Sequence, residues 1–250
     1  MSVVDALTGR SSSAGEDEPE KTMTILEHLE ELRFRLTISV IVILLGMIPG
    51  WFLSDGVISL LRQPIADLGP LNVLGVAGMF TLRLKVGAAL AVCFAFPVLF
   101  SQIWAFVAPG LTRRERRRSL PFIVLGTVLF VAGVYTGYRV VPLAVNFLLS
   151  FTDANLRPML VADQYVGFVA IVALIFGVSF ELPMVLLFLC SINVISSDWL
   201  VKKLKFAIII IFIVSTIITP GADLVSPVVL GVILSALYLL AIVLAKIIGK

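Results

Sequence analysis

Apolar residues in this chain come in long runs separated by short charged clusters, and the run lengths predict six membrane-crossing helices. Leu36 to Ser54 is uncharged over 19 residues, enough to cross a hydrocarbon core roughly 30 Å thick. A polar connection over 55–76, with Asp55, Pro64, Asp67 and Gly69-Pro70, follows and has room for a short helix. The next uncharged run, Val86 to Thr112, has Arg83 and Lys85 at its start, Pro97 as a kink position and Pro109-Gly110 at its end. The third span is expected over about 119–138, with a possible continuation past Arg139 and Pro142. The fourth, over about 164–195, is too long to stand straight and upright, so a tilt, a protrusion or a bend near Pro183 is expected. Phe206 to Ile218 provides only thirteen apolar residues, about 20 Å of helix, before Thr219-Pro220-Gly221-Ala222-Asp223. That short fifth span turns back into a sixth over 224–245, and so shallow a turn should thin the bilayer or draw polar groups into it.

The segment before the first span divides in two. Residues 1–21 are rich in Ser, Gly, Asp, Glu and Pro, contain no apolar run of signal-peptide length, and read as a disordered tail ahead of a single membrane domain over 22–250. Thr24 and Glu27 then make a capping-box pattern, and Ile25, Leu29, Leu32 and Leu36 recur at helical spacing, which predicts a short amphipathic helix. Its acids precede Arg33 and Arg35, an order that suits the helix dipole and permits Glu31–Arg35 and Glu30–Arg33 pairing.

Composition agrees with the pattern: of 250 residues, 60% are hydrophobic and only 14% charged, which excludes a soluble globular domain. Cys93 and Cys190 both lie in apolar runs and read as packing residues. A single histidine, His28, leaves no His/Cys metal cluster and no unaided Ser-His-Asp site, and there is no phosphate-binding Gly-rich loop ending in Lys-Ser or Lys-Thr. No enzyme activity, cofactor, metal or nucleic-acid partner is expected, and any energy source must come from elsewhere.

Charge placement gives the topology. Of 19 Lys and Arg, only Arg62, Arg83, Lys85, Arg139 and Arg157 fall on the side away from the termini or at span ends facing it; the other fourteen share the termini side. By the positive-inside rule both termini are expected in the cytoplasm, in keeping with an even number of spans.

Three carboxylates are candidates for function. Glu181 is the sole charged residue between 164 and 197, and an acid inside a lipid-embedded helix usually faces protein or water. The structural alternative is a protonated or hydrogen-bonded acid that merely holds the bundle together. Glu31 precedes the first span, and Glu115 stands among five arginines in the 113–118 cluster. Each has an ordinary reading as a solvated or charge-relieving acid. Together, separated carboxylates on one surface can each take a guanidinium through paired hydrogen bonds, which selects an arginine-bearing ligand. Two further readings stand beside this: an ion-coupled transporter using Glu181, disfavoured by the lack of a matching feature in the first half, and a purely structural scaffold.

Four motifs carry a family resemblance: His28-Leu29-Glu30-Glu31-Leu32-Arg33-Phe34-Arg35-Leu36; Trp104-Ala105-Phe106-Val107-Ala108-Pro109-Gly110-Leu111 followed by Glu115-Arg116-Arg117; Phe176-Gly177-Val178-Ser179-Phe180-Glu181-Leu182-Pro183; and Ile218-Thr219-Pro220 with Asp223. In this order, across about residues 24–245, they resemble the TatC subunits of the twin-arginine protein translocase. The resemblance implies an all-α, six-span, glove-shaped bundle in the plasma (inner) membrane. Its implied role is to recognise the twin-arginine signal peptides of folded substrates and to assemble an export complex with single-span TatA-type and TatB-type subunits and further TatC copies.

Position by position, Glu31, Arg33, Phe106 and Glu115 match the family's signal-recognition residues, with Pro109 in the same segment. Glu181 matches its intramembrane carboxylate, expected to hold polar groups in the outer part of the membrane. Thr219, Pro220 and Asp223 match the tight turn where partner helices dock. Two departures stand out: Pro227 occupies the region where several relatives have Gln, and Arg113-Arg114 stands where some have a Lys-His pair.

Overall fold

The computed structural model describes residues 25–107, 119–152, 159–219 and 224–247. These form eight α-helices and one 3-10 helix, with no strand among the described residues. The expected tail over 1–21, Thr24 of the capping-box pattern, the arginine cluster at 113–118 and the turn at 220–223 lie outside them.

The amphipathic helix and the first span are one continuous helix, α1, Ile25–Arg62, 38 residues and about 57 Å long. No Gly or Pro separates Arg33 from Leu36, and the Thr37 and Ser39 hydroxyls bond back to the Arg33 and Arg35 carbonyls, so nothing interrupts the ladder. The first eight residues of the expected polar connection, 55–62, are therefore part of α1. Its last turn is fastened from outside: the Tyr138 hydroxyl donates to Leu60 O at 3.1 Å and Tyr165 to Leu61 O at 2.9 Å, supplying partners to carbonyls at the helix end. The 3-10 helix Gln63–Leu68 follows, with Pro64 in its first turn, and ends at Gly69, whose φ of 96° favours glycine.

Helix α2, Gly78–Val107, begins eight residues before the expected run and runs through Pro97. Arg83 and Lys85 sit inside it because each meets an acid: Arg83 bonds Asp55 at 2.8 Å and Lys85 bonds Asp163 at 2.7 Å. Helix α3, Ser119–Leu149, continues past Arg139 and Pro142 as a single element. The fourth span is divided into α4, Ala162–Ser179, and α5, Leu182–Ser191. Pro183 has no N–H, and its ring crowds the carbonyl four residues earlier, that of Ser179, so the break falls at Phe180-Glu181. A six-residue helix, α6, Ser197–Lys202, is capped by Ser196 Oγ, which accepts from Trp199 N. Helix α7, Leu204–Ile218, has 15 residues, about 22 Å, and α8, Val225–Ile247, has 23. Five spans are thus long enough to cross a membrane, with α7 as a shorter apolar helix.

Two close seams build the bundle. A Cβ on Gly46 would lie 3.2 Å from Ala91 Cα, and one on Gly50 would strike the Gly87 backbone, so α1 lies directly on α2. A Cβ on Gly133 would be 2.5 Å from Phe176 O, and one on Gly137 2.8 Å from Ala173 Cα, which brings α3 equally close to α4. The main core lies between α3, α4 and α8, with Val141, Val166, Val169, Phe176, Leu230 and Tyr238 buried. By contrast, almost every residue of α1 is at least partly exposed, and the helix leans chiefly on α2. At the end away from the α1 N-terminus, Asn72 exchanges backbone hydrogen bonds with Leu160 O at 2.9 Å and Ala162 N at 2.8 Å, joining the two far-side loops.

Candidate functional site

The near end of the bundle, where α1 begins and α2 finishes, gathers the first group of candidates. Glu31 faces inward, its side chain 15% exposed, and its Oε1 accepts from Arg35 one turn later. Arg35 also donates to Gln102 Oε1 on α2 at 3.4 Å, so the pair is anchored across the α1–α2 seam. His28 stacks on Phe106 with ring centroids 4.2 Å apart and places Nδ1 3.7 Å from Glu31 Oε2. Oε2 is shielded from the surface and accepts no hydrogen bond among the described residues. One oxygen is therefore committed to Arg35, and the other lies beside the stacked His28 and Phe106 rings.

Arg33 is exposed on a different face and forms no ion pair among the described residues; the Glu30–Arg33 pairing that the spacing permits is not made. Glu115 and Pro109 lie outside the described residues, in the segment between Val107 and Ser119. The structure thus joins Glu31 to Phe106 through His28 and leaves Arg33 apart. Gln102 was not singled out from the sequence. The signal was there: it is the only amide in an apolar run, four residues before Phe106 and so on the same helical face.

Glu181 occupies the break between α4 and α5, and is 7% exposed. Its backbone stays engaged, with N–H donating to Val178 O and the carbonyl accepting from Val185 N. Its side chain does not: neither carboxyl oxygen has a hydrogen-bond partner among the described residues. The carboxyl reaches α3 because residue 126 is glycine; a Cβ there would lie 3.0 Å from Glu181 Oε2 and 2.5 Å from a ring carbon of Phe100. Beside it Phe96, Phe100, Phe130 and Met184 form a second apolar cluster, with Phe96 and Phe130 stacked at 3.6 Å. Leaving a buried polar group without a partner costs a few kcal/mol, so this site favours a polar group brought to it.

Glu181 lies toward the near end of the bundle. Phe100 and Gly126 are each seven residues, about 10 Å, from the near ends of α2 and α3, and more than twenty from the far ends. The proline break comes late in the span, which places the acid in the near half. Phe100 and Phe106 are about 9 Å apart along α2, so one helix borders both acidic sites. A turn beyond Phe100, the buried Trp104 ring packs between Phe122 and Phe188, with its indole N–H unpartnered among the described residues.

At the far end of α7, Thr219 is 7% exposed and donates to Ser215 O at 2.7 Å, while Ser215 donates to Ile211 O at 2.7 Å. The hydroxyls are thus turned back onto the helix. Ser226 and Pro227 are buried in the first turn of α8, where proline costs no helical hydrogen bond. Pro220 and Asp223 lie outside the described residues. Among the described residues no group of His, Cys, Asp and Glu is arranged to hold a metal.

Comparison with known proteins agrees across nearly the whole chain. Residues 27–232 match the family model described as Sec-independent protein translocase protein (TatC). The Sec-independent protein translocase protein TatC of Carboxydothermus hydrogenoformans is 38% identical over 229 residues, 91% of this chain and 94% of that protein. Its counterpart from Desulforapulum autotrophicum is 35% identical over 236 residues, covering 92% and 87%. A crystal structure of the twin arginine translocase receptor TatC superposes with a TM-score of 0.76 at 34% identity, covering 90% of this chain and all of that one. With the model match, the identity and the helical arrangement in agreement, the chain belongs to the TatC family of Sec-independent protein translocase subunits.

Proposed function

We propose that this subunit recognises twin-arginine signal peptides at its near end, with Glu31 and Glu115 as the two guanidinium acceptors. As a TatC-family protein it is a multi-pass membrane component of the twin-arginine translocase, a non-enzymatic part of a transport machine that works with other Tat subunits. The observation that carries the reading is the state of Glu31: one oxygen held by Arg35, the other shielded by the His28–Phe106 stack. An incoming arginine displaces the ring pair, takes Oε2, and leaves Arg35 on Oε1 and Gln102. Glu115, in the segment after Phe106, takes the second arginine, and the apolar part of the signal follows the membrane face of the bundle. Arg33 acts at the rim. Each pair at such an accessible end contributes at most about 1 kcal/mol, so both acids and apolar burial are needed.

The charge distribution supports placing the near end, with both termini, in the cytoplasm. Glu181 serves a different step, receiving a polar group from the membrane helix of a TatA-type or TatB-type partner, while Thr219, Pro220 and Asp223 form the far-end docking turn used in assembly with these and further TatC copies. Crosslinking of an Arg-Arg signal peptide, with a Lys-Lys peptide as control, tests the assignment. Glu31→Ala and Glu115→Ala should each reduce Arg-Arg crosslinking, and undiminished crosslinking in both variants rejects it. Glu181→Ala should impair partner assembly while signal binding persists; the opposite pattern reverses the roles.

A further inference from the structure

The far half of the bundle contains a cavity that neither acidic site uses. About 310 Å³ in volume, it lies between α1, α2, α3 and α4, and its wall is almost wholly apolar, including Leu61, Leu90, Cys93, Val134, Val169 and Ala173. Its mouth is framed by Val131 and Tyr135, which are 59% and 60% exposed and so face the membrane. One turn further out, a second cavity of about 550 Å³ is lined by Gln63, Pro64, Tyr138, Arg139, Pro142 and Leu143. Tyr138 belongs to both, and its hydroxyl on Leu60 O fixes the ring at the junction.

Charge separates the outer cavity from its surroundings. Among the described far-side cations, Arg83 and Lys85 are matched by Asp55 and Asp163, whereas Arg139, and Arg62 next to Gln63, are exposed and make no ion pair. An apolar slot that opens to the membrane and leads, past a tyrosine, to an unmatched guanidinium has the polarity order of a phospholipid. Val131 to Tyr138 spans about 10 Å of helix, room for the upper part of an acyl chain. Tyrosine and arginine at the headgroup level are the usual anchors there.

We propose that the two cavities form one binding site for a phospholipid of net negative headgroup, its acyl chain in the apolar cavity and its phosphate at Arg139 and Gln63. The site is separate from signal recognition, so its failure leaves that reading intact. The bound lipid fills the space between α1 and the α3–α4 seam and holds the far end of the lightly packed α1 against the bundle.

The test uses the full chain in detergent, stripped of lipid and incubated with phosphatidylglycerol or phosphatidylcholine, with retained lipid measured by native mass spectrometry. The wild type should retain phosphatidylglycerol about fivefold better, the preference that one interfacial arginine provides. Arg139→Gln should abolish that preference, whereas Ala89→Leu and Ala170→Leu, which fill the apolar cavity from two helices, should lower retention of both lipids. A phospholipid with a diazirine on its acyl chain gives a readout on the wild type alone: adducts are expected within 57–61, 86–93, 131–138 and 169–174. Adducts spread evenly over membrane-facing residues such as Ile210, or adducts at the cavity displaced by an apolar signal segment but not by excess phosphatidylglycerol, overturn the proposal. Unchanged headgroup preference in Arg139→Gln also overturns it.

Discussion

Glu31 and Glu181 are both largely buried acids beside the same helix, α2, yet their surroundings differ in kind. Glu31 is supported on three sides, by Arg35, by Gln102 through Arg35 and by the His28–Phe106 stack. Glu181 has glycine, phenylalanine and methionine around it and no bond to either oxygen among the described residues. A paired acid at the end of a bundle can exchange one cation for another with little rearrangement. An unpaired acid within the bundle leaves the isolated protein less stable than an apolar residue would. The first arrangement suits reversible recognition, and the second suits assembly.

The strongest way to disturb the contrast is through Gly126. Gly126→Val places methyl groups against Phe100 and Glu181, and overpacking of this kind should cost about 3 kcal/mol, seen as a lowered unfolding midpoint in detergent. Gly56→Ala is the control: a Cβ there meets nothing within 4 Å, so the change should be neutral or slightly stabilising. If both variants melt alike, Gly126 does not set the position of the acid. Next in size, Glu181→Met replaces an unpartnered carboxyl with an apolar chain of similar volume and should raise the unfolding free energy by about 1–3 kcal/mol. Its translocation with partner subunits should fall. A less stable Glu181→Met protein would mean that the carboxyl is already satisfied within the subunit.

Much of this was legible in the chain, and the exceptions have physical causes. Apolar run length located the five long apolar helices among the described residues and the shorter α7, because the bilayer imposes a minimum length and lipid tolerates few charges. Run length failed at the ends. Arg83 and Lys85 look like boundaries, but acids from α1 and α4 neutralise them, so α2 starts earlier. Asp55 likewise seemed to close a span that the helix passes through. Glu181 stood out as a lone charge, and Pro183 correctly indicated the break beside it. Gly126, Phe100 and Gln102 were hidden because their importance arises across seams, and one chain gives no register between helices.

The smallest effect tests the paired half of the contrast. Glu31 and Arg35 are partly buried neighbours one turn apart, so a double-mutant cycle with Glu31→Ala and Arg35→Ala should give a coupling of about 0.5–1 kcal/mol in unfolding free energy. The coupling should shrink when salt is raised from about 0.05 M to about 1 M, since the near end is accessible to ions. Gln102→Ala should lower it further without removing it, because Gln102 positions Arg35 and does not touch the carboxylate. A cycle with no coupling would leave Glu31 as open as Glu181, and the distinction between an exchangeable acid and an unpaired one would fail. If coupling is present and falls when an Arg-Arg signal peptide is bound, the peptide is competing for the carboxylate that Arg35 holds, which places the exchange at Glu31 itself.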